Sequence, residues 1–327
     1  MKSNFKTLKM FESVIKKLRL KNWLKFYGVI IGLLLIAVNS VKAQQEPMYS
    51  QYMFNMLQIN PAYAGNRASD NITLLYRNQW TGIEGAPVTA NLSWDRRNEG
   101  SNVGYGLQIY SDKLGIESTI GLQGFYSFRI PFENAALTLG ISAGVLNYRA
   151  NYVDLITGTS GDPLFMENVN GFRPTVGIGA LYATEKWYAG FSIPAMLQTK
   201  IYNDNVSVTT GANNHYFLTA GYVFNLLPDF KLKPSVLLKA VNGAPLEADF
   251  NTNLWYKDII GLGASYRTGD SFVGMFELQI TPQVRLGYAY DYTVSQLRRY
   301  SSGTHEIMLR YEFASPKIQQ ILSPRYY

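Results

Sequence analysis

The chain has 327 residues, a formal net charge of +7 and no cysteine, which excludes a disulfide scaffold, a thiolate metal site and an acylated lipoprotein. The first 43 residues hold nine Lys or Arg against Glu12 alone, so of the whole chain's 30 basic and 23 acidic residues the remainder keeps 21 and 22. The basic balance belongs to the leader, and a nucleic-acid-binding reading from net charge fails.

The leader has a long basic stretch, then the apolar run "FYGVIIGLLLIAV" from Phe26 to Val38, then "NSVKA" with Val41 and Ala43 at the small-residue positions of a cleavage site. An apolar run of about 13 residues is short for a spanning helix, which needs roughly 20. Residues 1–43 therefore read as a signal peptide, with an uncleaved anchor as the competitor, and the exported chain begins near Gln44. Nothing in the rest reads as a linker.

Residues 44–71 precede the first strand. Tyr49, Tyr52, Met53, Phe54, Met56, Leu57 and Ile59 put too much apolar surface into a short run for a free tail. Pro61 turns Asn60 away from helix, and Gly65 can take a positive φ. The expectation is a compact turn that starts on the periplasmic side and packs either into a lumen as a plug or against a partner.

From residue 72 to 313 the dominant signal is period two in segments of about ten residues. "VTANLSWD" sets Val88, Ala90, Leu92 and Trp94 against Thr89, Asn91, Ser93 and Asp95. "QVRLGYAYDY" and "HEIMLRYEF" alternate in the same way. Segments of this length, rich in Tyr and Gly and carrying aromatics near their ends (Trp80, Trp94, Trp187, Trp255), match tilted strands crossing an outer membrane better than the shorter strands of a soluble sandwich. The predicted fold is an all-β, antiparallel transmembrane β-barrel of about fourteen strands, starting near Ile72, Val88, Val103, Thr119, Ala136, Phe172, Trp187, His215, Lys231, Leu246, Ile259, Phe272, Gln283 and Thr304.

Parity tests the count. With both termini periplasmic, connections after odd strands lie outside the cell. The long connections Val153 to Asn170 and Gln198 to Asn214 follow strands five and seven, and the moderately long Thr293 to Gly303 follows strand thirteen. Partner contacts are expected on the first two, at Asp154, Asp162, Phe165, Glu167, Asn168, Asn203, Asp204, Asn213 and Asn214.

The predicted polar face includes Arg77, Gln79, Asp95, Arg129, Glu247, Asp249, Asn251, Asn253, Arg267, Glu277, Gln279, Arg285, Asp291, Glu306, Arg310 and Glu312. Mixed signs suit a hydrated, salt-bridged lumen rather than a single-sign selectivity ring. Only His215 and His305 exist, and neither a triad nor a zinc cluster assembles around them, although His305 near Ser301 and Ser302 keeps a membrane hydrolase in view. No catalytic residue, metal or cofactor is expected. The glycine pairs Gly177/Gly179 and Gly261/Gly263 sit inside strands and read as close-packing positions, not a nucleotide loop. Residues 314–327 follow the last strand as a periplasmic tail.

The run "QQEPMYSQYMFNMLQINPAYAGNRAS", followed by "YRNQWTGIEGAPVTANLSWD", resembles the PorP/SprF family of type IX secretion system outer-membrane proteins of Bacteroidota. The resemblance rests on Ser50, Gln51, Tyr52, Met53, Phe54 and Asn55, on Asn60, Pro61, Ala62, Tyr63, Ala64 and Gly65, and on Arg77, Asn78, Gln79 and Trp80; the later strands share only the pattern. It implies a non-enzymatic outer-membrane component of the secretion and gliding machinery. Its implied partners are membrane lipid, periplasmic ring and peptidoglycan-binding components, and a cognate adhesin with a type B C-terminal domain. The alternative is an outer-membrane channel or transporter with an N-terminal plug.

Overall fold

In a computed structural model, the described residues are 48–67, 69–98, 100–154, 167–197, 200–203, 206–209, 214–241 and 244–313. The expected signal peptide, the tail, Asp162, Phe165, Asp204 and Asn213 lie outside them. The chain divides into two units, one of residues 1–43 with 243–246 and a larger one of residues 44–242 with 247–327. Of the smaller unit only residues 244–246, without regular structure, are described. All that follows concerns the larger unit.

Among the described residues fourteen strands form its wall. They are β1 (Asn71–Asn78), β2 (Val88–Arg97), β3 (Val103–Leu114), β4 (Glu117–Pro131), β5 (Ala135–Ala150), β6 (Val169–Thr184), β7 (Trp187–Ile193), β8 (His215–Tyr222), β9 (Phe230–Val241), β10 (Glu247–Tyr256), β11 (Ile260–Arg267), β12 (Ser271–Gln279), β13 (Val284–Thr293) and β14 (Thr304–Glu312). A short piece, Phe224–Leu227, prolongs β8 along β9. Each strand pairs antiparallel with its neighbours, and β1 pairs with β14 from Asn71↔Glu312 to Asn78↔His305, so the sheet closes into a barrel and leaves no edge. Within the connection from β7 to β8, expected as a plain loop, Lys200–Asn203 and Val206–Thr209 pair as a separate hairpin.

The alternation resolves into an inverted protein. On β2, Thr89, Asn91, Ser93 and Asp95 are buried while Leu92 is 45% exposed; on β1, Leu74 and Tyr76 are 45% and 46% exposed while Thr73 and Arg77 are buried. Apolar side chains outward and polar ones inward is the order a barrel takes in lipid. Cross-strand aromatic pairs line the outer surface, among them Tyr105 with Tyr126 and Phe230 with Tyr256. One expected girdle residue is not there. Trp255 is 2% exposed and faces inward, its indole N–H donating to Glu277 Oε2 at 2.8 Å, and Tyr256 takes the outward position instead. The parity of β10 places Trp255 with Asn251 and Asn253, so its aromatic character misled where its position did not.

We call the end of the barrel where β1 begins the near pole and the other the far pole. Near-pole connections are compact, such as residues 132–134 and 185–186. The far pole carries residues 79–87, 151–168, 194–214 and 294–303, beside two tight turns at 115–116 and 268–270.

Candidate functional site

The lumen is occupied by the chain's own N-terminal segment. From Tyr49 to Asn66 every residue but Gln58 is buried. Three short 3₁₀ turns shape it: Tyr52–Phe54, Met56–Gln58 and Pro61–Tyr63. No helical stripe exists to extend them, and Pro61 has no N–H to continue a ladder. Asn60, held extended by the proline that follows, caps the third turn by accepting from the Ala62 N–H at 2.9 Å. Turn bonds such as Phe54 N–H to the Gln51 carbonyl (2.9 Å) and Asn60 N–H to the Met56 carbonyl (2.9 Å) satisfy backbone that would otherwise be orphaned inside the barrel. Gly65, at φ +60°, turns the chain out of the lumen against the Arg96 carbonyl and Gly104, where a side chain has no room.

The segment is fixed at its N-terminal end by an ion cluster. Arg77 donates to Glu306 Oε2 (3.0 Å) and Asp291 Oδ2 (2.8 Å), with both carboxylates and the guanidinium at most 2% exposed. Ser50 and Gln51 enter it directly. Their backbone N–H groups donate to the two oxygens of Glu306 at 2.8 and 2.7 Å. The Ser50 hydroxyl donates to Asp291 Oδ2 at 2.6 Å and accepts from Arg77 at 2.7 Å. The two carboxylates share the Arg77 guanidinium, and the plug's own N–H donors take up both oxygens of Glu306.

Further along, inward residues of many strands hold the segment. Asn251 donates to the Tyr52 hydroxyl (2.6 Å), Asn253 to the Met53 sulfur (3.0 Å) and Asn55 to the Ser93 hydroxyl (2.8 Å). Ser192 donates to the Ile59 carbonyl (2.8 Å), Ser127 to the Ala64 carbonyl (2.6 Å), and the Gly65 N–H to Asp95 Oδ2 (3.0 Å). Asn60 reaches the carbonyls of Ala180 and Phe191, and the Phe54 carbonyl accepts from Arg67 at 2.9 Å and from Arg310. Phe54 meets Trp255 edge to face, centroids 6.4 Å apart.

The wall is shaped to receive this segment. A Cβ on Gly140 would fall on the backbone of Pro61 and Ala62, and one on Gly179 on the Asn60 side-chain oxygen. Leu75, Leu181, Leu237, Met275 and Met308 stand at inward parity yet are apolar, and they join Tyr52, Met53, Met56 and Tyr63 in one buried cluster. Those inward apolar positions were the missed signal. A water-filled lumen has no use for them, so their parity alone announces an occupant.

The structure thus brings Ser50 and Gln51 to Arg77 and distributes Tyr52, Met53, Phe54, Asn55, Asn60, Pro61, Ala62, Tyr63, Ala64 and Gly65 over the wall. Asn78 lies outside this cluster, opposite His305 and Val88. Gln79 and Trp80 begin the loop after β1, where the Gln79 N–H donates to the Pro87 carbonyl and the Trp80 N–H to the Thr304 hydroxyl. Of the candidate loop residues, Asp154, Glu167, Asn168, Asn203 and Asn214 are described, and they belong to the far-pole connections. Glu167 and Asn168 are exposed, with Asn168 accepting from the Val153 N–H at 3.1 Å, and Asn214 is half-buried. Asp154 ends a short 3₁₀ turn and Asn203 ends a hairpin strand. His305 and the Tyr288 hydroxyl are 2.7 Å apart on the outer surface, with neither Ser301 nor Ser302 bonded to the ring. Among the described residues no group of acids and histidines could hold a metal ion.

Comparison with known proteins adds three findings. A family model described as "Type IX secretion system membrane protein PorP/SprF" matches residues 41–311. No curated protein matches the sequence. Solved barrels similar in structure include a CymD monoaromatic hydrocarbon channel (11% identity, 85% of this chain and 95% of that one, TM-score 0.48). A Pseudomonas aeruginosa FadL homologue (13%, 82% and 95%, 0.44) and a KdgM porin (10%, 75% and 99%, 0.38) are also similar.

Proposed function

The chain belongs to the family of type IX secretion system membrane proteins PorP/SprF, and from that premise we propose that this outer-membrane barrel works as a closed, non-enzymatic anchor. It docks the secretion machinery on its periplasmic side and retains a cognate adhesin with a type B C-terminal domain on its outer side. The observation that carries the reading is the occupied lumen: Tyr49 to Asn66 fill it through wall contacts on most of its strands, and Ser50 is clamped by Arg77, Asp291 and Glu306. A barrel filled in this way has its two rims left for work.

In this reading the near pole faces the periplasm, since bacterial barrels place short turns there and longer loops outside. The ring and peptidoglycan-binding components meet the near-pole turns and the tail, and the adhesin meets the far-pole connections around 154–168 and 203–214. Replacing Glu167, Asn168 and Asn214 by Lys together is expected to release the adhesin into the medium while barrel abundance in the outer membrane stays at the wild-type level. Equal loss of adhesin and barrel would make the loops a folding element, and unchanged retention would remove them from the docking surface.

A further inference from the structure

The plug has a direction. Its first clamped residues, Ser50 and Gln51, bond Arg77, the last residue but one of β1, together with Asp291 near the end of β13 and Glu306 near the start of β14; all three stand toward the far pole. Its last residues sit at the opposite end. Gly65 bonds Asp95 near the end of β2, Ala64 bonds Ser127 opposite Gly104 at the start of β3, and residues 66–70 then lead to the first residue of β1. Between them Tyr52 and Met53 meet the middle of β10, and Phe54 meets Trp255 and Arg310 in the near half. From Arg77 back to Asn71 is about 20 Å of strand at roughly 3.3 Å per residue, which at a tilt of about 40° rises about 15 Å, more than half the height of the apolar band. The segment therefore crosses the barrel and is not confined to the pole where β1 starts, as its place in the sequence had suggested.

We infer that the exported chain is threaded through its own barrel, so that its free amino end leaves by the far mouth, on the same face as the long connections. Residues 54–65 occupy the near half of the lumen, and the described segment ahead of them runs only toward the far pole. Met48 is only partly buried, whereas Tyr49 to Asn66 are buried except for Gln58. The consequence is that the new amino terminus becomes part of the far-pole surface, held there by the Arg77, Asp291 and Glu306 cluster. The inference uses the occupied lumen on which the proposed function rests, but neither its partners nor its membrane orientation.

The absence of cysteine makes the test direct. Single Cys variants of the full chain, Gln45→Cys, Glu84→Cys in the far-pole loop after β1 and Glu185→Cys in a near-pole turn, are exposed in cells to a membrane-impermeant maleimide before and after outer-membrane permeabilisation. Gln45→Cys is expected to label under the same condition as Glu84→Cys and opposite to Glu185→Cys. If both far-pole sites label only after permeabilisation, threading stands and the orientation in the proposed function fails. Labelling of Gln45→Cys with Glu185→Cys, or no labelling of Gln45→Cys under either condition, overturns the inference. Pro47→Cys repeats the reading if Gln45→Cys hinders leader removal, with the heat-dependent gel shift of a folded barrel checked for each.

Discussion

Arg77 illustrates what one side chain decides. It is the cation of a cluster with two carboxylates, 2% exposed, and it touches the plug through the Ser50 hydroxyl. Replacing it by Ala leaves Asp291 and Glu306 facing each other in the lumen, and breaking a buried pair in this way costs about 3–5 kcal/mol. The expected outcome for Arg77→Ala is fast amide hydrogen exchange at residues 50–54 with exchange in β3 and β4 unchanged; protection equal to wild type would show that the cluster does not hold the plug. Period two makes the inward direction of Arg77 legible in the sequence. Its partners are not, because Ser50 lies in a segment without periodicity and Asp291 and Glu306 are more than 200 residues away, matched only by closure of the barrel. Trp255 shows the converse error, a residue type typical of the outer girdle placed by its parity inside.

Among elements, the fourteen wall strands were readable to within three residues of their starts, since alternation reports a facing at every position and turn residues punctuate it. Their lengths were less so. β4, β5 and β6 run to 15 or 16 residues because pairing continues beyond the ten or so that cross the apolar band. The plug's three 3₁₀ turns were visible only as composition, an excess of apolar residues around an Asn-Pro step, because runs of three residues carry no period. Wall and plug meet through glycines, and there a prediction separates them. Gly140→Val drives a branched side chain into the backbone of Pro61 and Ala62, and overpacking of this kind costs about 1–3 kcal/mol. Gly274→Ala, on an outward position of β12 with nothing within 4 Å of the added Cβ, should stay within about 0.5 kcal/mol of wild type. Equilibrium unfolding of the two variants in detergent checks this, and equal stability would place the plug away from the wall at Gly140.

At the scale of the whole molecule, ring size and occupant explain each other. About eight strands give an interior that wall side chains can fill, and sixteen or more give an aqueous channel. Fourteen lie between, so the interior needs an additional filler, and the inward Leu75, Leu181, Leu237, Met275 and Met308 require that filler to be apolar. The chain supplies it from the residues just before β1, which is why the segment that identifies the family is buried from Tyr49 to Asn66 except at Gln58. The sequence left open whether this segment packs in the lumen or docks a partner, since its composition suits both; the choice needed the far-pole charges of β1, β13 and β14 in one place. Single-channel recording of the purified full-length protein in planar bilayers tests the occupied lumen most directly. The intact protein should show no steady open level and a variant lacking residues 48–66 should show one, whereas steady conductance of the intact protein, unaltered by that deletion, would contradict a closed barrel.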